Sequence, residues 1–169
     1  MTRGHLTRCG VLVFCTLGCG TQSPTVPSPA RPPSTLSLEA EAGVGQGDRM
    51  ERTSASGGLT IHLAPGQRRQ WTFKVLDPPS DYVVMVRYSN DEIGDSETIR
   101  TTIDGLAIGW IRAQDTGDNG AGWNAFVSDR AGAADLRSGQ HMLAVESSGG
   151  DGCIEIDVVT LVPAKSGGM

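Results

Sequence analysis

From Leu36 onward the chain is a succession of short runs in which apolar and polar residues alternate, each ended by Gly, Pro, Asp or Ser. A period of two belongs to β-strands, whose successive side chains point to opposite faces. Leu59-Thr60-Ile61-His62-Leu63 and Gln70-Trp71-Thr72-Phe73-Lys74-Val75 are the clearest cases, and Tyr82-Val83-Val84-Met85-Val86-Arg87-Tyr88 is a strong central strand by β-propensity. Turn signals recur at intervals of about 8 to 12 residues, and no stretch carries the stripe of an amphipathic helix. About nine strands and no helix predict an all-β fold, an antiparallel β-sandwich. Trp71, Phe73 and Val75 fall on one face and are expected in its core. A length of 169 residues suits one domain and a single core.

The first 35 or so residues do not share this pattern. Arg3 and Arg8 precede the apolar run Cys9 to Gly18, which falls short of the ~20 residues a spanning helix needs. Residues 1–19 therefore read as a secretory signal. Its end, Thr16-Leu17-Gly18-Cys19, resembles a bacterial lipobox, which implies lipidation at Cys19 and a membrane-anchored lipoprotein facing the periplasm or the cell surface, with simple secretion as the alternative. Residues 20–37 are rich in Pro, Ser and Thr and form an extended linker. The domain is expected over 38–163, with a short tail at 164–169. Three of the four cysteines lie in the leader, so Cys153 cannot form an internal disulfide and is expected as a small core side chain. With 14 basic against 19 acidic residues and no basic cluster beyond Arg68-Arg69, nucleic acid is excluded as a partner. A monomer is expected.

Acids at the two ends of the domain carry the chemistry. In Leu36-Ser37-Leu38-Glu39-Ala40-Glu41-Ala42 a continuous strand would set Glu39 and Glu41 side by side, and their repulsion must be offset by solvent, basic neighbours or a hard cation. Near the close, Asp157 interrupts the apolar strand Cys153 to Leu161, where an ionised carboxylate is costly to bury unless paired or bound to metal. If the first and last strands are neighbours, Glu39, Glu41 and Asp157 can share a calcium ion. Strand-mates of this kind suit a metal cage better than an acid and nucleophile placed across a cleft. His62 and His141 show no catalytic spacing, so no enzyme is expected.

In order along the chain, Leu38-Glu39-Ala40-Glu41-Ala42, Tyr82 through Asn90, Ile103-Asp104-Gly105, Thr116-Gly117 followed by Trp123, Leu136 with Gly139-Gln140-His141, and Ile154 through Val159 resemble the carbohydrate-binding modules of families 6 and 35. The resemblance covers nearly all of the domain. It implies a galactose-binding-like β-jelly-roll, a structural calcium held by Glu39, Glu41 and Asp157, and noncatalytic binding of a poly- or oligosaccharide. Trp123 matches the family's loop tryptophan, which stacks sugar rings. Asn90, Glu92, Asn124 and Glu155 are implied as polar ligand-binding residues around it. Glu155 stands where many sugar-binding members have Asn, and the aromatic content is only 5%. A cell-envelope structural or protein-interaction module of the same fold is the alternative. Trp110 reads as a strand residue, with a second stacking partner for Trp123 as the alternative.

Overall fold

The computed structural model describes residues 32–90, 96–117, 122–150 and 152–164. The leader, including Cys19, lies outside these residues, as does most of the linker and Glu92. Eleven strands follow one another: β1 (Leu36–Glu39), β2 (Val44–Gly45), β3 (Asp48–Glu51), β4 (Leu59–Leu63), β5 (Arg68–Val75), β6 (Ser80–Ser89), β7 (Thr98–Ile103), β8 (Leu106–Arg112), β9 (Val127–Leu136), β10 (Gly139–Ser148) and β11 (Ile154–Pro163). One sheet has the order β3-β4-β11-β6-β9 with β1 also on β11, and the other the order β2-β5-β10-β7-β8; all pairings are antiparallel. The predicted all-β sandwich is the fold found.

The alternation expected from the sequence places the core. Trp71, Phe73 and Val75 of β5 face Tyr82, Val84, Val86 and Tyr88 of β6, with Ile61, Leu143, Val145, Ile156 and Leu161 packed among them. Each of these side chains is buried, and full burial of one contributes about 1.5–3 kcal/mol. Asp104 and Gly105 both adopt positive φ (50° and 80°), the geometry that lets a two-residue turn follow the strand twist between β7 and β8.

Two differences from the sequence reading matter. The run Leu36 to Ala42 is not one strand: β1 stops at Glu39, and Ala40–Ala42 make a single 3-10 turn closed by a bond from the Gly43 N–H to the Ala40 carbonyl. The chain is here crossing from one sheet to the other, since β1 pairs with β11 and β2 with β5. Buried Arg69 donates to the carbonyls of Ala40 (3.1 Å) and Gly45 (3.2 Å), and the Trp71 Nε1–H to that of Glu39 (2.7 Å), which satisfies backbone groups the crossing leaves without a ladder partner. Secondly, the expected short strand at Asn124 to Ser128 is the ten-residue β9, starting at Val127, and the loop after Gly43 contains the small strands β2 and β3.

Edge strands β8 and β9 seal one side of the sandwich. Each carries a bulge, with Ile108 the extra residue in β8 and Ala131 in β9. A Cβ on Gly109 would overlap the Ala131 carbonyl, and one on Gly132 would overlap the Ile108 carbonyl. Only glycine lets the two backbones come this close, and the contact covers edges that would otherwise be open to pairing.

Candidate functional site

The first group of predicted residues gathers on the outer face of the β11 sheet. A bulge between Ile156 and Val158 adds Asp157 as an extra residue in β11, so that Val159 and Leu161 resume the core phase while Asp157 turns outward beside Glu155. Asp157 accepts from the Ser56 N–H at 2.8 Å and pairs with the Arg87 guanidinium. Ser56 Oγ in turn donates to Glu39 Oε1 at 2.9 Å, and a Cβ on Gly57 would lie 3.0 Å from Glu41 Oε1. Glu39, Glu41 and Asp157, far apart in sequence, thus meet at the one turn Ser56–Gly57.

Among the described residues no group of three or more His, Cys, Asp or Glu that could hold a metal ion is found. Glu39 Oε2 and Glu41 Oε2 are nevertheless buried with no hydrogen-bond partner, the condition in which a hard cation is the natural counterpart. The fit to calcium is therefore good at Glu39 and Glu41. At Asp157 it is poorer, because Arg87 and the Ser56 N–H already occupy both oxygens. Arg87 also donates to the Ser54 carbonyl at 3.1 Å and lies over the Phe126 ring at 4.6 Å.

Glu155, expected to touch ligand, is fully buried. Arg52 clasps it through Nε (2.8 Å) and a terminal nitrogen (2.5 Å), and Thr60 Oγ1 donates to it at 3.0 Å. Its role is to anchor Arg52. Asn90 is likewise buried: its Nδ2 donates to Glu97 at 2.9 Å, and its carbonyl accepts from Thr116. Glu97 also accepts from the Gly152 N–H at 2.9 Å, so the loops around 90, 116 and 152 are tied together from within. Trp123 is half-buried against the His62 ring, centroids 5.0 Å apart. Asn124 is exposed but bridges Thr53 Oγ1 (2.8 Å) and the Ser54 N–H (3.0 Å). The depression on this side, about 590 Å³, is lined by Glu51, Arg52, Thr53, Gly57, Gly58 and Leu59 and has no aromatic wall. Cys153 is partly buried; burial first, and the Glu97 carboxylate second, push its thiol pKa up, which disfavours a nucleophilic thiolate.

The other sheet presents a different surface. Thr101, Ile99 and Ile111 point inward, so the residues between them, Arg100 on β7 and its cross-strand partner Trp110 on β8, point outward. Trp110 is 66% exposed. A depression of about 450 Å³ beside it is lined by Thr98, Arg100, Ala107, Ile108, Gly109 and Ser148. A second depression of about 380 Å³ shares Ala107 and Ile108 but lies at the seam between the sheets, where Asp104, Leu106 and His141 meet Ala133, Ala134 and Asp135 of β9. From the sequence Trp110 reads first as a strand residue and only second as a stacking partner. Simple alternation through Leu106, Ile108 and Trp110 buries the tryptophan, and only the bulge at Ile108 reverses the phase.

No family model and no curated protein sequence matches the chain. Solved structures do. A family 35 carbohydrate binding module from Clostridium thermocellum superposes with a TM-score of 0.64 at 18% identity, covering 78% of this chain and 99% of that one. A carbohydrate binding module from Cellvibrio mixtus lichenase 5A, in complex with cellotriose, gives 0.59 at 14% identity over 75% of this chain and 95% of that one. The exo-β-1,3-galactanase of Phanerochaete chrysosporium, with β-1,3-galactotriose, gives 0.61 at 17% identity over 76% of this chain, which spans 29% of the length of that enzyme. At such identities the likeness is one of fold: the chain has the β-sandwich of the carbohydrate-binding modules of families 6 and 35.

Proposed function

We propose that the chain is a noncatalytic module that binds an oligo- or polysaccharide on the outer face of the β5-β10-β7-β8 sheet, with Trp110 as the stacking platform. One observation carries this reading: a tryptophan ring, 66% exposed, held on a regular strand beside a groove. The face of a pyranose is apolar and its rim is polar, so an aromatic plane flanked by polar side chains matches it. Thr98, Ser148 and Arg100 supply those polar groups. The depression of about 450 Å³ beside the ring gives room for sugar on this face. That a module of the same fold was solved with cellotriose supports the ligand class. Binding of this kind requires no bond to be made or broken.

The test is titration of neutral and acidic oligosaccharides with the wild-type chain, Trp110→Ala and Trp123→Ala. Loss of a central aromatic anchor typically costs 2 kcal/mol or more, about thirtyfold in affinity, so Trp110→Ala is expected to weaken binding by roughly that factor and Trp123→Ala by much less. Undiminished binding by Trp110→Ala removes the site from this face.

Two further elements belong to the same reading. A calcium ion held by Glu39 and Glu41, with Asp157 on the same turn, would supply charge neutralisation where the first and last strands meet. Added calcium is then expected to raise the melting temperature, and Glu41→Gln to abolish that rise; no response of the wild type to calcium would dispose of the ion. Export and anchoring through a lipidated Cys19, with residues 20–37 as a tether, rest on the sequence. Cys19→Ser is expected to move the protein out of the membrane fraction.

A further inference from the structure

Resting on the Trp110 reading, we propose that this groove selects an acidic saccharide, one whose ring stacks on Trp110 while its carboxylate or sulfate is taken by Arg100. Arg100 stands directly across from Trp110 in the β7–β8 register, within the roughly 5 Å of cross-strand neighbours. Arg112, exposed and two residues farther along β8, falls on the same face about 7 Å from Trp110. An exposed indole is thus flanked by one guanidinium across the sheet and another along the strand.

Both cations are unspent. Among the described residues neither guanidinium makes a hydrogen bond or an ion pair, whereas Arg52, Arg69 and Arg87 are all engaged by named acceptors. Glu146 lies in register with Arg100 on β10 yet forms no ion pair with it, and in register with Arg68 on its other side. In a chain of formal charge −5, the rim of the groove at Trp110 is locally basic. Guanidinium has five donors in a planar fork and no acceptor, which matches a carboxylate or sulfate two bonds at a time and a lone hydroxyl poorly. A groove meant for neutral sugars is better furnished with amides and hydroxyls, which can both give and accept.

The experiment is calorimetric titration of the chain with an oligogalacturonate, with its fully methyl-esterified form, and with a sulfated galactan oligosaccharide. The methyl ester keeps ring and linkage and removes the charge. The acid is expected to bind at least tenfold tighter than the ester, in a manner that weakens with salt. Arg100→Gln should erase that difference, and Arg100→Lys should restore part of it. Preference for the sulfated oligosaccharide, lost in Arg100→Gln, would identify the anion as sulfate within the same chemistry. Equal binding of acid and ester, with Arg100→Gln silent but Trp110→Ala damaging, overturns the charge selection and leaves the Trp110 platform standing. If Trp110→Ala changes binding of no saccharide, the platform falls as well. A chain that self-associates in sedimentation, with Trp110→Ala monomeric, gives the face to a second copy and overturns the proposal.

Discussion

Replacing Arg52 by Ala isolates Glu155, and the structure sets the scale of the consequence. Glu155 has no exposed surface, and Arg52 supplies two of its hydrogen bonds and its countercharge. Breaking a buried ion pair by removing one partner costs about 3–5 kcal/mol, because the remaining charge is left without compensation. Three features moderate this. The Arg52 side chain is 22% exposed, so water can reach part of the gap, Thr60 still donates at 3.0 Å, and His62 Nδ1 lies 3.5 Å from Glu155 Oε1. About 3 kcal/mol is therefore expected for Arg52→Ala. For a folded unit of roughly 130 residues, an unfolding entropy of about 2.1 cal/mol/K per residue translates this into a fall of ~11 °C in melting temperature. The paired variant Arg52→Met with Glu155→Leu removes both charges and keeps most of the volume, and should recover most of the loss. Urea denaturation of the wild type, the two single variants and the double variant gives the coupling energy directly. A cost below about 1 kcal/mol for Arg52→Ala, or strictly additive singles, would refute the view that Glu155 is there to hold Arg52.

Two more perturbations test other parts of the fold. Gly132→Ala places a methyl group onto the Ile108 carbonyl, a backbone atom that cannot swing aside; a loss of 2 kcal/mol or more in urea denaturation is expected, and a neutral result would mean that β8 and β9 do not meet at their bulges. His141 Nδ1 and Asp104 Oδ2 are 2.8 Å apart, and the second ring nitrogen lies 2.8 Å from the Arg137 carbonyl. Partial burial works against the charged imidazole, yet the bonds to Asp104 and Arg137 and the attraction of Asp104 together raise the His141 pKa. Burial opposes the Asp104 charge too, and the bonds from His141 and the Met142 N–H outweigh it and lower its pKa. The His141 contribution is complete below its ordinary value of 6.5 and lost as pH rises through the raised one; that of Asp104 is present above 3.8 and lost as pH falls through the lowered one. Asp104→Asn should thus cost more at pH 5.5 than at pH 8.5, by less than about 1 kcal/mol since Asp104 is half-exposed. Equal melting-temperature differences at the two pH values would count against the pair.

The architecture was legible because apolar alternation and turn chemistry are local signals. Gln70 to Val75 alternates without interruption and puts Trp71, Phe73 and Val75 inward, Tyr82 to Tyr88 is rich in β-formers and gives the inward row of β6, and Asp104-Gly105 turns where its residue types require. What escaped are the places where alternation slips. Ile154, Ile156 and then Val159, Leu161 change phase across Asp157-Val158, which is the trace of a bulge, and the same slip occurs between Ile108 and Ile111. A strict period of two carries the reading straight through such a slip and puts every later side chain on the wrong face.

The weight of that slip differs between the two strands. At β11 the slip is harmless, because Glu155 and Asp157 point outward with or without it; the gathering of Glu39, Glu41 and Asp157 needed only the pairing of first and last strands, found as β1 on β11. Arg52 and Ser56 were not readable as partners, since they come from the segment between β3 and β4, whose path no periodicity describes, whereas Arg87 sits on β6 opposite Val158. At β8 the slip decides everything. One inserted residue sends Ile111 into the core and turns Trp110 out beside Arg100. The bulge that seals the β8–β9 edge through Gly109 and Gly132 is therefore also the device that presents the tryptophan. Stability of the edge and exposure of the Trp110 face are linked through one residue, Ile108, and a deletion of Ile108 that restored plain alternation would be expected to remove both together.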